Sequence, residues 1–188
     1  MLMPKKLLIL KASRDVCAAE VDHLKTIAEM FGMVHETFDL THPASFQAAM
    51  VGHGKFDYIY IGAHADLSGF GESDGSTVMQ WEQFALALCE SQCLNRESIL
   101  LLGCCRGGLR QVAMRLFSSC CEIDYVCGPR WTVTGLDITA GFHVFIYNME
   151  ARHEQPSCAT ERASKATGYD FFCYDRVEVE DTNWSNPP

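Results

Sequence analysis

Two short apolar runs, each closing on glycine and a reactive side chain, constrain this chain more than any other feature. Phe56-Asp57-Tyr58-Ile59-Tyr60-Ile61-Gly62-Ala63 leads into His64-Ala65. Ser98-Ile99-Leu100-Leu101-Leu102-Gly103 leads into Cys104-Cys105-Arg106-Gly107-Gly108. Runs this short and rich in β-forming residues read as strands buried on both faces, the habit of a parallel sheet. Side chains at the carboxyl ends of such strands project into the ligand crevice of an open α/β sheet. A His and a Cys delivered there by different strands form a candidate base and nucleophile.

The rest of the chain fits that frame. Lys5 to Ala12 predicts a first strand, and Val16 to Phe31 a helix with Val21, Leu24, Ile27 and Phe31 at helical spacing before Gly32 stops it. Met33 to Leu40 reads as a strand, and Pro43 opens a second helix. A Gly/Ser/Asp-rich loop is expected from Asp66 to Thr77, then a helix from Val78 to Glu90. Helices are expected over Leu109 to Ser119, Leu136 to Met149 and Cys158 to Thr167. Short strands are expected at Tyr125 to Gly128 and, on the edge, at Phe171 to Val179. The alternation predicts an α/β architecture: a mainly parallel central sheet of about six strands with helices on both faces. At 188 residues the chain suits one core. We expect a single domain over residues 1–180 and a polar, frayed tail over 181–188.

Charge and cysteine usage remove several classes of function. The net charge of −9 argues against nucleic acid or an anionic membrane as partner. The apolar run Leu7 to Leu10 behind Lys5-Lys6 is too short for a signal-peptide core, and no stretch has the length of a membrane span. The expected location is therefore the cytoplasm, where the ten cysteines would stay reduced. Cys17, Cys89, Cys120, Cys121, Cys127, Cys158 and Cys173 then read as small buried hydrophobes. Cys89 and Cys93 lack the second pair that a zinc site needs. No metal and no cofactor is expected.

The chemistry expected at the strand ends is acyl transfer. A thiol attacks as thiolate, so it needs a neighbour that takes its proton, and histidine does this best near neutral pH. Gly107-Gly108 would turn the backbone sharply after Cys105 and start a helix whose N-terminal field favours a thiolate. The backbone amides of Cys105 and Ala65 could bind a developing oxyanion. Alone, a strand-end His or a buried Cys is usually structural; the joint pattern carries the argument.

With these residues in place, the chain resembles the caspase-like cysteine peptidases of clan CD, and most closely the bacterial CHAT domains. In that family one strand ends in His-Gly and a later one in Ala-Cys before a short Gly-containing turn. Gly62-Ala63-His64-Ala65 and Leu102-Gly103-Cys104-Cys105-Arg106-Gly107 match these motifs, and Val126-Cys127-Gly128-Pro129-Arg130-Trp131-Thr132-Val133 resembles the fifth-strand signature. The resemblance implies a caspase-like three-layer sandwich and a cysteine endopeptidase with Cys105 as nucleophile and His64 as its proton partner. It implies a protein or peptide substrate. Ala65 departs from the usual Gly, and Gly103 stands where relatives recognise the residue before the scissile bond. Substrate contacts are therefore sought among Gly103, Arg14 and Arg130 (for an acidic side chain) and Asp15 and Asp137 (for a basic one). Only residues 120–124 separate the nucleophile helix from the next strand, so no processing linker fits. Control by a separate regulatory or sensor protein is expected, with the 66–77 loop as a candidate gate. The resemblance points to bacterial defence or programmed death. The rival reading is a catalytically inactive caspase-like interaction module. A receiver-like domain fits poorly, because Lys11-Ala12-Ser13 and His64 occupy the places of its acidic residues.

Overall fold

The run Leu7-Leu8-Ile9-Leu10 divides its side chains between two cores. Leu7 and Ile9 join one, Leu8 and Leu10 the other, and all four are at most 1% exposed. That is the two-sided burial expected of a strand inside a parallel sheet. The computed structural model describes residues 4–50 and 52–179; the expected tail over 181–188 lies outside them.

The elements run β1 (Lys6–Lys11), α1 (Ala18–Met30), β2 (Val34–Asp39), α2 (Pro43–Met50), β3 (Phe56–Gly62), β4 (His64–Ala65), β5 (Gly69–Gly71), β6 (Thr77–Gln80), α3 (Trp81–Ser91), β7 (Leu94–Gly103), α4 (Arg110–Ser119), β8 (Tyr125–Pro129), α5 (Gly135–Arg152), α6 (Pro156–Thr167) and β9 (Phe171–Asp175). Six strands form the central sheet in the order β2-β1-β3-β7-β8-β9. The first five are parallel and β9 is antiparallel to β8. Helices α1, α5 and α6 pack on the face bearing Leu7, Ile9, Tyr58, Tyr60 and Leu101. Helices α2, α3 and α4 cover the face bearing Leu8, Ile59, Ile61, Leu100 and Leu102. The molecule is thus an α/β protein with a mainly parallel six-stranded sheet covered on both faces.

The structure departs from the sequence reading in five places. Residues 64–80 are not an open loop running into a helix at Val78; they form a second antiparallel sheet, β4-β5-β6, before α3 begins at Trp81. Phe70 and Met79 anchor this small sheet in the α3 core, and the Trp81 indole N–H donates to the Asp66 carbonyl at 2.9 Å. Strand β7 starts at Leu94, four residues earlier than expected, across an irregularity that includes Glu97 at φ 61°. The last strand stops at Asp175 and residues 176–179 are helical. Cys127 and Cys173, expected as separate thiols, are register partners across β8 and β9 and form a disulfide. Facing positions on antiparallel strands bring Cβ atoms close enough for this, whatever their sequence separation. Cys17, Cys121 and Cys158 are exposed rather than buried; Cys17 caps α1, its sulfur accepting from the Glu20 amide. No helix among the described residues is long and apolar enough to cross a membrane.

Candidate active site

Strand order places the site. The chain runs from β1 outward to β2 and then returns to the other side of β1 for β3, so the topology reverses between β1 and β3. Open α/β sheets bind ligands at the carboxyl ends of strands flanking such a reversal. The β1–α1 loop carrying Ser13, Arg14 and Asp15 lies there, held by the Ala12 amide on the Gly62 carbonyl at 2.8 Å. Next to it is His64, and beyond that Cys105. Gly62 and Gly103 are register partners, and each stands two residues before its reactive side chain. The Ala63 amide donates to the Gly103 carbonyl at 3.4 Å, which extends the pairing to the foot of the site.

The nucleophile turn separates two adjacent cysteines. Cys104 points into the α4 core and is fully buried, and that burial pushes its thiol far up, out of reach of ionisation. Cys105 is half-buried, and its thiol faces the Val133 carbonyl at 3.8 Å. The turn is closed by Gly107 N–H on the Cys104 carbonyl, and its φ is positive at Arg106 (62°), not at the glycines. Gly108 is needed for close approach instead: a Cβ there would lie 2.0 Å from the Gly128 carbonyl oxygen on β8. The amides of Arg106, Gly107 and Gly108 are bonded to Trp131, Cys104 and Pro129 carbonyls. None of these bonds uses the Cys105 amide. Helix α4 starts only at Arg110, so the turn and Gly108 intervene between the thiol and the helix terminus. A helix field fades within its first turn, and the thiolate gains less from it than the sequence reading expected.

His64 opens β4, and its partner is Gly71. The Asp66 amide donates to the Gly69 carbonyl at 3.0 Å. Alternation along an antiparallel ladder then makes Ala65–Phe70 a non-hydrogen-bonded pair, with the Ala65 N–H directed away from β5. The Cys105 amide thus takes no part in the turn's own bonds, and the Ala65 amide is turned from β5. His64, Ala65, Asp66 and the β5–β6 turn line a cavity of about 170 Å³; Cys105 is not among its lining residues.

The expected substrate contacts disperse. Arg14 is bound by Glu72, whose carboxylate accepts the Arg14 amide at 2.9 Å and lies 3.6 Å from its guanidinium. Asp15 is half-exposed and already has a partner: its Oδ2 lies 3.2 Å from His64 Nε2. Gly103 is buried, and the Tyr60 hydroxyl fills the space where its side chain would stand. The Arg130 guanidinium stands over the Phe172 ring, 4.8 Å from its centroid. Asp137 caps α5, accepting from the Thr134 amide and hydroxyl, and the hydroxyl bond lowers its pKa. Gly103, Arg130 and Asp137 thus have packing or capping partners that the sequence could not show. Glu72 and Ser73 also went unmarked in the sequence. They sit in a polar turn whose contact with the β1–α1 loop spans nearly 60 residues.

A cavity of about 820 Å³ lies elsewhere, at the amino ends of β7 and β8, and is lined by Lys55, Glu97, Asp124 and Asp175 among others. Among the described residues it is lined by no cysteine or histidine. Among the described residues no group of three His, Cys, Asp or Glu side chains is placed to hold a metal ion. No protein-family model matches the chain, and no curated protein matches it.

Proposed function

We propose that the chain is a caspase-like cysteine endopeptidase, close to the CHAT domains, working through Cys105 and His64. The observation that carries this reading is the register of β3 against β7: Gly62 faces Gly103, so the imidazole and the thiol leave neighbouring strands at the same level. Cys105 Sγ attacks the peptide carbonyl carbon, and His64 takes the thiol proton and passes it to the leaving amine. The C–N bond breaks, a thioester forms, and water then releases the second product. The Cys105 amide and the Ala65 amide, turned from β5, would hold the oxyanion. No cofactor enters the scheme.

The resting arrangement supports latency. The Cys105 thiol donates to the Val133 carbonyl at 3.8 Å, a contact the sulfur gives up when it turns to His64 and a substrate. We assign that exchange to a separate regulatory protein. The 66–77 segment serves this scheme as a fixed wall, because it is a sheet latched through Glu72 to Ser13 and Arg14. The setting we propose is the cytoplasm, in a defence or cell-death role. A Cys127–Cys173 disulfide there would be an exception of the redox-sensing kind.

The test is covalent labelling with peptide acyloxymethyl ketones bearing acidic, basic or neutral residues next to the ketone. One adduct is expected, lost in Cys105→Ala and kept in Cys104→Ala. Labelling that persists unchanged in Cys105→Ala discards the assignment.

A further inference from the structure

We infer that Asp15 is the positioning residue of this site, holding His64 so that Nδ1 is the nitrogen that takes the thiol proton. The inference rests on the peptidase reading above and adds a third member to its pair. His64 Nε2 lies 3.2 Å from Asp15 Oδ2. An ionised carboxylate only accepts hydrogen bonds, so Nε2 must carry the hydrogen. In neutral imidazole the other nitrogen then holds the lone pair. The contact thus selects a tautomer and leaves Nδ1 as the basic atom.

The local architecture supports a role in orientation. Asp15 sits in a loop already fixed by other bonds. The Ser13 hydroxyl donates to Glu72 at 3.1 Å, the Arg14 amide donates to Glu72 at 2.9 Å, and the Asp15 amide reaches the Ser13 hydroxyl at 3.3 Å. Ser73, next to Glu72, bonds the Asp15 carboxylate and is the main cause of its lowered pKa, with His64 adding to it. The carboxylate is therefore charged and held from both sides. About half of each side chain in the His64–Asp15 pair is exposed, so the pair adds little to stability. Removing Asp15 should spare the fold while freeing the ring to rotate. The charged and titratable groups around the pair are Arg14 from its own loop, Glu72 and Asp74 from the β5–β6 turn and Asp66 after β4. Of these, Asp74 opposes the lowering of the Asp15 pKa.

The deciding measurement is the rate of Cys105 alkylation by iodoacetamide, read by mass spectrometry across pH 6–10. The full chain is compared with His64→Ala, Asp15→Ala and Asp15→Glu. Iodoacetamide needs a thiolate and no peptide recognition, so a latent chain still gives an answer. A base-assisted thiol reacts faster than an unassisted one only below its own ionisation range. Asp15→Ala is expected to slow alkylation about tenfold near pH 7, approaching His64→Ala. The gap should close by pH 10, the melting temperature should hold, and Asp15→Glu should recover part of the rate. A slow His64→Ala beside an Asp15→Ala that matches wild type at every pH overturns the role of Asp15 and leaves the Cys–His pair standing. If His64→Ala itself reacts like wild type, the pair fails and Asp15 falls with it. Loss of rate at all pH values together with a lowered melting temperature marks a structural residue and also overturns the proposal.

Discussion

Strand β3 buries the same pair of side chains at two levels in different company. Tyr58 and Tyr60 point into the same core, and each donates its hydroxyl to a glutamate, Tyr58 to Glu150 and Tyr60 to Glu20. Towards the amino end of β3, Lys5 Nζ stands 2.7 Å from Glu150 and supplies a counter-charge. Towards the carboxyl end, Glu20 is packed among Tyr60, Val16, Gly62 and Gly135 instead of beside a cation. Burial pushes the Glu20 carboxyl up, and the Tyr60 bond only partly offsets it. The uncompensated pair lies directly beneath the candidate site: Gly62 precedes His64 by two residues, and the Tyr60 hydroxyl occupies the space in front of Gly103. The molecule neutralises a buried carboxyl where only packing is at stake and leaves one poorly compensated where the reactive groups are assembled. Departures from local rules tend to gather at such places.

The largest effect is expected from crowding that end. A Cβ on Gly103 would stand 2.1 Å from the hydroxyl oxygen and 2.3 Å from Cζ of the fully buried Tyr60. Gly103→Ala should cost about 3 kcal/mol, at the upper end of overpacking. Tyr60→Leu alone should cost about 3 kcal/mol for the lost ring and its hydrogen bond. Combined, the two should cost clearly less than their sum, because the hydroxyl oxygen, Cζ and Cε2 that meet the new Cβ are all removed. Urea melts of the four proteins measure the coupling. Strict additivity would show that Gly103 is not pressed against Tyr60.

That contact also shows where the sequence stops informing. The apolar runs at 7–10, 58–61 and 99–102 announce their strands because two-sided burial leaves a composition signal. The helices announce themselves through the spacing of Val21, Leu24 and Ile27, or Val112 and Leu116. The small β4-β5-β6 sheet left no such signal. Its strands are two to four residues long and contain Gly69 and Gly71, which read as loop. His64 and Cys105 drew notice because each follows the end of a buried strand by two residues. Asp15 was visible only as a charge after β1; its contact with His64 joins residues 49 apart and depends on the β2-β1-β3 order. Glu20 was invisible, because a glutamate in the first turn of a helix normally looks solvent-facing and dipole-favoured.

An intermediate effect should separate the two levels of β3 by pH. The folded-state pKa of Glu20 is raised, so the folded chain keeps a proton that the unfolded chain has already released. Stability from this group is present below the ordinary carboxyl value and is lost as pH rises towards the folded value. Glu20→Gln keeps an acceptor for Tyr60 and removes the charge. It should raise stability by about 1 kcal/mol at pH 8 and by little at pH 4. Thermal melts across that range provide the comparison. A gain at pH 4 as large as that at pH 8 would mean that charge is not what distinguishes the site end.

The smallest effect tests whether Lys5 is what makes the amino level different. The Lys5 side chain is 47% exposed and that of Glu150 13%, so the cation is far better solvated than the anion. Pairs of this kind contribute up to about 1 kcal/mol, and salt screens them. Lys5→Ala should therefore lower stability by about half a kcal/mol in dilute buffer and by less in 1 M salt. A Lys5→Ala protein as stable as the parent in dilute buffer would trace the difference between the two levels to the packing around Glu20, with the counter-charge at Glu150 immaterial.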